Sequence, residues 1–252
     1  MNKFTIFAFN LIIKCERDNV LERAAGLTLR VLLAFFPFLI FLMSLMGYLE
    51  LDEQAILGGL YEILPDDASE LVAYFISQLS ATRSGGILSA ALFFSVYNTV
   101  NGFHAVIRYT NLAYGVEEQR GFAARIGLSF ALTLLFSAAL IIMLALLVFA
   151  RHLISFIAAL FILFIFTSFI YKLACAKPLP LRHIFPGAAV TVVAWVIASY
   201  AVGLITQNFS QLPAIYGSFA GVFVLILWLN TVAVILLVGN EINAMLHELT
   251  SV

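Results

Sequence analysis

The chain has 252 residues, of which 63% are hydrophobic and 11% charged, and its mean hydropathy is +1.06. A soluble domain uses roughly half apolar residues, so this composition excludes a single soluble core and predicts an all-α, polytopic membrane protein. The formal net charge of -1 conceals a strong separation of charge along the chain.

The N-terminal stretch holds an apolar run from Phe4 to Ile13 that is too short to cross a bilayer and is followed by no small-residue cleavage site. It predicts an interfacial helix within a cytoplasmic segment 1–26, anchored by Lys3, Lys14 and Arg17. Apolar runs of about 20 residues or more, enough to cross a hydrocarbon core of about 30 Å, follow at Leu27 to Leu49, Gly86 to Tyr109, Ala124 to Ala150, Leu153 to Leu173, Ile184 to Ile205 and Tyr216 to Val238. Six transmembrane helices in one integral domain, 1–252, are the expectation. Only Arg151 and His152 separate the third from the fourth, and a tight turn there avoids a helix of twice the needed length.

Pro37 lies mid-way along the first span and Pro186-Gly187 opens the fifth, making all three residues candidate hinges, or else static kinks that improve packing. Between the first two spans, residues 50–85 carry two amphipathic stripes, Leu57, Leu60, Tyr61, Leu64 and then Val72, Phe75, Ile76, Leu79, separated by Pro65. Two short helices are expected there, resting on the bilayer or capping the bundle, or else shuttering an outward opening or docking an envelope partner. After the sixth span, 239–252 is expected to be a cytoplasmic tail.

Orientation follows from the basic residues. All of the 13 lysines and arginines except Arg83 and Arg151 fall on the side that holds both termini, which the positive-inside rule places in the cytoplasm. The first outer loop is acidic instead, with Glu50, Asp52, Glu53, Glu62, Asp66, Asp67 and Glu70. Cys15 and Cys175 both map to the reducing side and match no zinc or redox spacing, so free thiols are expected.

Within the second span, Tyr97, Asn101, His104, Arg108 and Asn111 fall within roughly 40° of one helical direction. Polar groups at that depth face a bundle interior or a water-filled cavity. The third span adds Arg125, Ser129, Thr133 and Ser137 at four-residue steps, and Arg30 stands at the inner end of the first. Converging arginines would make an electropositive cavity, open to the cytoplasm, that suits an anionic headgroup or carboxylate through bidentate contacts. The plainer alternative is that Arg30, Arg108 and Arg125 snorkel to headgroups while Asn and Ser join helices. His104 reads equally as a packing histidine or a proton carrier, and Glu241 as a counter-charge or a hydrated helix end.

Catalytic constellations are missing. His104, His152, His183 and His247 are scattered, no carboxylate pair or Ser-His-Asp set converges, and no Walker-type loop is present, so no metal, cofactor or ATP chemistry is expected. Short cytoplasmic segments leave no broad basic surface for nucleic acid. Asn98-Thr99-Val100 before Asn111 echoes Asn230-Thr231-Val232 before Asn243, but the pairing relates the second span to the sixth and does not fit a simple duplication.

An ordered set of motifs runs along nearly the whole chain: Ala24-Ala25-Gly26 with Phe36-Pro37-Phe38, Asn111 to Glu118, Pro186-Gly187-Ala188 with Trp195, Tyr216-Gly217-Ser218, Trp228-Leu229, and Gly239-Asn240-Glu241-Ile242-Asn243. This set resembles the YihY/BrkB family of bacterial inner-membrane proteins. Asn240 stands where that family more often has alanine, and Leu29 where it often has tyrosine. The resemblance implies a bacterial inner-membrane location and a role in envelope integrity or virulence, with some members linked to movement of lipids or other solutes. The family's older ribonuclease BN label finds no metal-ligand cluster here to support it. The expected function is therefore transport or flipping of an anionic amphiphile or lipid. The alternative is a non-transporting scaffold that engages an envelope protein through 50–85.

Overall fold

The computed structural model describes residues 3–49, 85–149, 152–208 and 220–250. Among them are seven helices and no strand: α1 Lys3–Arg17, α2 Val20–Leu49, α3 Gly85–Ala113, α4 Phe122–Phe149, α5 His152–Ala174, α6 Leu181–Asn208 and α7 Ala220–Thr250. The described parts of the six apolar runs fall on helices α2 to α7 in order. Three stretches, Phe156–Ala174, Leu181–Leu204 and Gly221–Leu249, are long and apolar enough to cross a membrane. The amphipathic stripes of 57–79, together with Arg83, Arg151 and Tyr216 to Ser218, lie outside the described residues.

Local sequence explains the breaks between helices. Asn19, at φ 49°, turns the chain from α1 into α2, a left-handed position that its short amide side chain tolerates better than most. Helix α3 ends in a Schellman motif: Gly115 sits at φ 60°, its N–H donates to Leu112 O at 3.0 Å, and the Val116 N–H donates to Asn111 O at 2.9 Å. α4 and α5 are separate helices packed along each other, and the turn expected between them lies outside the described residues. Neither proline ends its helix: α2 continues through Pro37 and α6 through Pro186.

The chain divides into two compact units. The first comprises 1–27, 100–196 and 230–252, and its core is built from Ala24, Ile107, Leu132, Tyr171, Ile184 and Leu236, among others. Outward from that core, α5 and α6 present Phe156, Phe161, Val190 and Val193. The second comprises 28–99 and 197–229, where Ala91, Val202, Val224 and Leu225 are buried and the Ser95 and Phe94 carbonyls accept hydrogen bonds from Thr99 and Asn98 one turn on.

Candidate functional site

Polar side chains gather inside the first unit, around the ends of α3, α5 and α7. Asn111, only 2% exposed, occupies the last turn of α3 and ties three segments together. Its Nδ2 donates to Glu118 Oε2 at 2.6 Å, and its Oδ1 accepts from the Ala176 N–H at 2.7 Å. The Schellman turn reverses the chain so that Glu118 returns to the helix it has just left. Arg120 closes the knot, donating to both Glu118 oxygens at 2.7 Å and to the carbonyls of Leu173 and Ala174 at 3.0 and 2.7 Å. Those carbonyls end α5, where a cation also complements the helix dipole.

Asn111→Ala removes a charge-assisted bond and strands the Ala176 N–H, so it is expected to lower stability by about 2–4 kcal/mol, measured by denaturant unfolding in micelles. Arg120, with help from Asn111, holds the Glu118 carboxyl below the usual carboxylate range against the opposing effect of burial. A depressed folded pKa contributes stability that is complete above the unfolded value of about 4.3 and is lost as pH falls through the folded one. Unfolding free energy should therefore drop in acid below about pH 4, and Glu118→Gln should flatten that part of the profile.

On α7, two polar faces back onto different neighbours. Asn240, Asn243 and His247 recur at helical spacing, whereas Glu241 and Glu248 fall roughly 100° or more away. On the first face, Asn243 Oδ1 accepts the Gly187 N–H at 2.7 Å, and His183 and His247 bring their Nδ1 atoms to 3.0 Å. Here α6 and α7 touch backbone to backbone at Gly187 and Gly239. Tyr171 of α5 completes the contact, its hydroxyl donating to Leu236 O at 2.7 Å and meeting Thr191 Oγ1 at 2.8 Å. Trp195 Nε1 donates to Val232 O at 3.0 Å one helical turn further along.

The second face meets α1. Lys14, expected to anchor α1 at the membrane surface, is instead 6% exposed and points into the unit. Its Nζ donates to Ala113 O at 2.9 Å and lies 3.3 Å from Glu248, 3.6 Å from Asp18 and 3.6 Å from Glu241. Burial, reinforced by the Glu241 and Asp18 carboxylates, pushes the neighbouring Cys15 thiol up to about 11. Burial also raises Cys175 and the Tyr114 phenol. Both cysteines are free, and these shifts disfavour the thiolate form of each.

The residues singled out in the sequence are distributed as follows. Asn101 and His104 are half-buried in the first unit, Arg108 is exposed, and Asn111 is buried in the knot just described. Arg125 is half-buried with its Nε unpartnered, and Ser129 and Thr133 donate back along α4 to Arg125 O and Ser129 O. Tyr97 and Arg30 belong to the second unit, Tyr97 exposed and Arg30 half-buried. Glu241 is buried against Lys14, and Gly187 packs on Gly239, while Pro186 next to it is exposed.

The sequence matches the family described as Virulence factor BrkB over residues 11–251. The chain belongs to the BrkB family. It is also 32% identical over 247 residues to YfkH of Bacillus subtilis (strain 168), a protein named ribonuclease-like, with 90% of each chain covered. No solved structure matches. Membership in the BrkB family together with the apolar helices makes this a membrane protein. Two BrkB-type motifs read from the sequence, Pro186-Gly187-Ala188 and Gly239 to Asn243, are the two sides of one helix contact, and a third, Asn111 to Glu118, is the knot at the end of α3. Among the described residues, no group of three or more His, Cys, Asp or Glu side chains could hold a metal ion.

Sequence reasoning missed Lys14, Tyr171, Thr191 and Asn243 as parts of the polar interior. One usable signal existed: Gly239 and Asn243 share a helix face four residues apart, the spacing at which a small residue admits a neighbouring backbone and an amide bonds to it.

Proposed function

We propose that this protein is a six-span bacterial inner-membrane transporter or flippase for an anionic amphiphile such as a lipid, with both termini in the cytoplasm. The carrying observation is a polar interior in an otherwise apolar chain: Asn111, Asn240, Glu241 and Asn243 are each no more than 2% exposed. Buried polar groups cost stability unless partnered, and in membrane proteins they mark substrate and ion pathways. The basic asymmetry supports the orientation. Asn101, His104 and Arg108 share one direction of α3, and the exposed Arg108 supplies the fork that an anionic headgroup needs. The chain acts without ATP hydrolysis and without nuclease chemistry.

Purified protein in liposomes, assayed for movement of anionic lipids and small anions, tests the proposal. Arg108→Gln should slow movement by about tenfold or more while leaving unfolding unchanged, because the side chain is exposed. Wild type that moves nothing across a broad panel would sink the transport reading. Function lost instead through substitutions in 57–79 would indicate the scaffold.

A further inference from the structure

His183, only 9% exposed in the first turn of α6, faces His247 in the last turn of α7, with the two Nδ1 atoms 3.0 Å apart and the rings inclined at 53°. That separation is a hydrogen bond with a strict proton count. A ring nitrogen accepts only when it carries no proton, so one Nδ1 holds a hydrogen and the other is bare. The donating ring can be neutral or an imidazolium, whereas the accepting ring must be neutral. The contact therefore tolerates one positive charge and forbids two. We propose that this pair is a proton-operated latch: a second positive charge turns both Nδ1 atoms into donors and parts the ends of α6 and α7.

The pair sits where parting has consequences. His183 lies one helical turn before Gly187 and His247 one turn beyond Asn243, the two residues joined by the Gly187 N–H bond at 2.7 Å. It is thus the end link of a seam that continues through Gly187, Asn243 and Gly239. The charged and titratable groups around it are Lys177 from the segment before α6, Arg182 beside His183 in sequence, Tyr114 after α3, with its ring 6.1 Å from that of His247, and Glu248 on α7. Lys177 opposes a further positive charge. Glu248 favours one, but it is engaged by Lys14 at 3.3 Å, and its side chain is 60% exposed, where water weakens the attraction. An imidazole titrates ordinarily near pH 6.5, so parted rings take up both charges within the range of about pH 5 to 7. Because the parted state binds one more proton than the closed one, the ratio of closed to parted should fall about tenfold for each pH unit below about 6.

Nitrogen NMR of labelled histidines and amide hydrogen exchange, both on the full chain in detergent, test the latch. Above about pH 7, wild type should show one protonated and one bare Nδ1 for the pair. Going from about pH 7 to about pH 5, amides of 182–189 and 241–248 should lose about twentyfold in protection relative to His247→Gln at the same pH, a comparison that cancels the intrinsic pH dependence of exchange. A glutamine amide can donate to a neutral ring or accept from a charged one, so His247→Gln and His183→Gln should each keep the seam closed throughout. Each variant removes one of the two charges, so either alone makes the comparison if the other fails to fold. Wild-type exchange that tracks the folded variants across the whole range overturns the proposal. So do two imidazolium signals from the pair in a seam that stays protected, a result that needs no variant. Lipid movement is no part of either readout, so failure of the transport reading leaves the latch standing.

Discussion

Replacing Gly239 with alanine is expected to cost about 3 kcal/mol or more in micelle unfolding, or to abolish folded protein altogether. A Cβ there would collide with Thr191 Oγ1, approach Tyr171 Oη at 2.6 Å and approach Gly187 O at 2.9 Å. None of these is the loose end of a flexible chain. Thr191 and Tyr171 are fully buried and hydrogen-bonded to one another, and Gly187 O is backbone. Relieving the collision therefore means separating α6 from α7 or breaking the bond from Tyr171 to Leu236 O. Gly127→Ala in α4 is the control, since nothing lies within 4 Å of its Cβ and the exchange should stabilise by roughly 0.5–1 kcal/mol through helix propensity. Thr191→Ala should recover part of the loss in the Gly239→Ala background, because it removes the nearest obstacle. Equal effects at Gly239 and Gly127 would show that the two helices do not touch in this way.

That contact also shows what the sequence could and could not disclose. Apolar runs located the six helices α2 to α7, because the length of a hydrophobic stretch is a local property. Asn111 was singled out through helical periodicity, but the reason for its burial lies in Gly115 and Glu118, whose turn folds back on it. Periodicity placed Asn111 in one column with Arg108, whereas the structure buries the first and exposes the second. Residues that share a direction on an isolated helix still differ in what packs beside each turn, and that depends on neighbours distant in sequence. Lys14 makes the same point from the opposite side. A lysine in a short amphipathic helix suggests a membrane-surface anchor, and only the arrival of Glu241 and Glu248 from the far end of the chain turns it inward.

The energetic weight of that long-range pairing gives the second large expectation. Lys14→Met should destabilise by about 3–5 kcal/mol, because it leaves the buried Glu241 carboxyl without its counter-ion and strips Ala113 O of its donor. Glu241→Gln should cost less, about 1–2 kcal/mol, since Lys14 keeps Asp18, Glu248 and the carbonyl. The two losses should not add. Joining Lys14→Met with Glu241→Gln removes the stranded carboxylate, so the double variant should be more stable than Lys14→Met alone by about 2 kcal/mol. Chemical unfolding of all four proteins in one detergent closes the cycle. Strict additivity would mean that Lys14 and Glu241 do not sense one another, and the cage would then be a set of independent surface-like contacts. A strong coupling would show instead that α1 is held to the end of α7 by charge, so that any event at Glu241 is felt by the N-terminal helix.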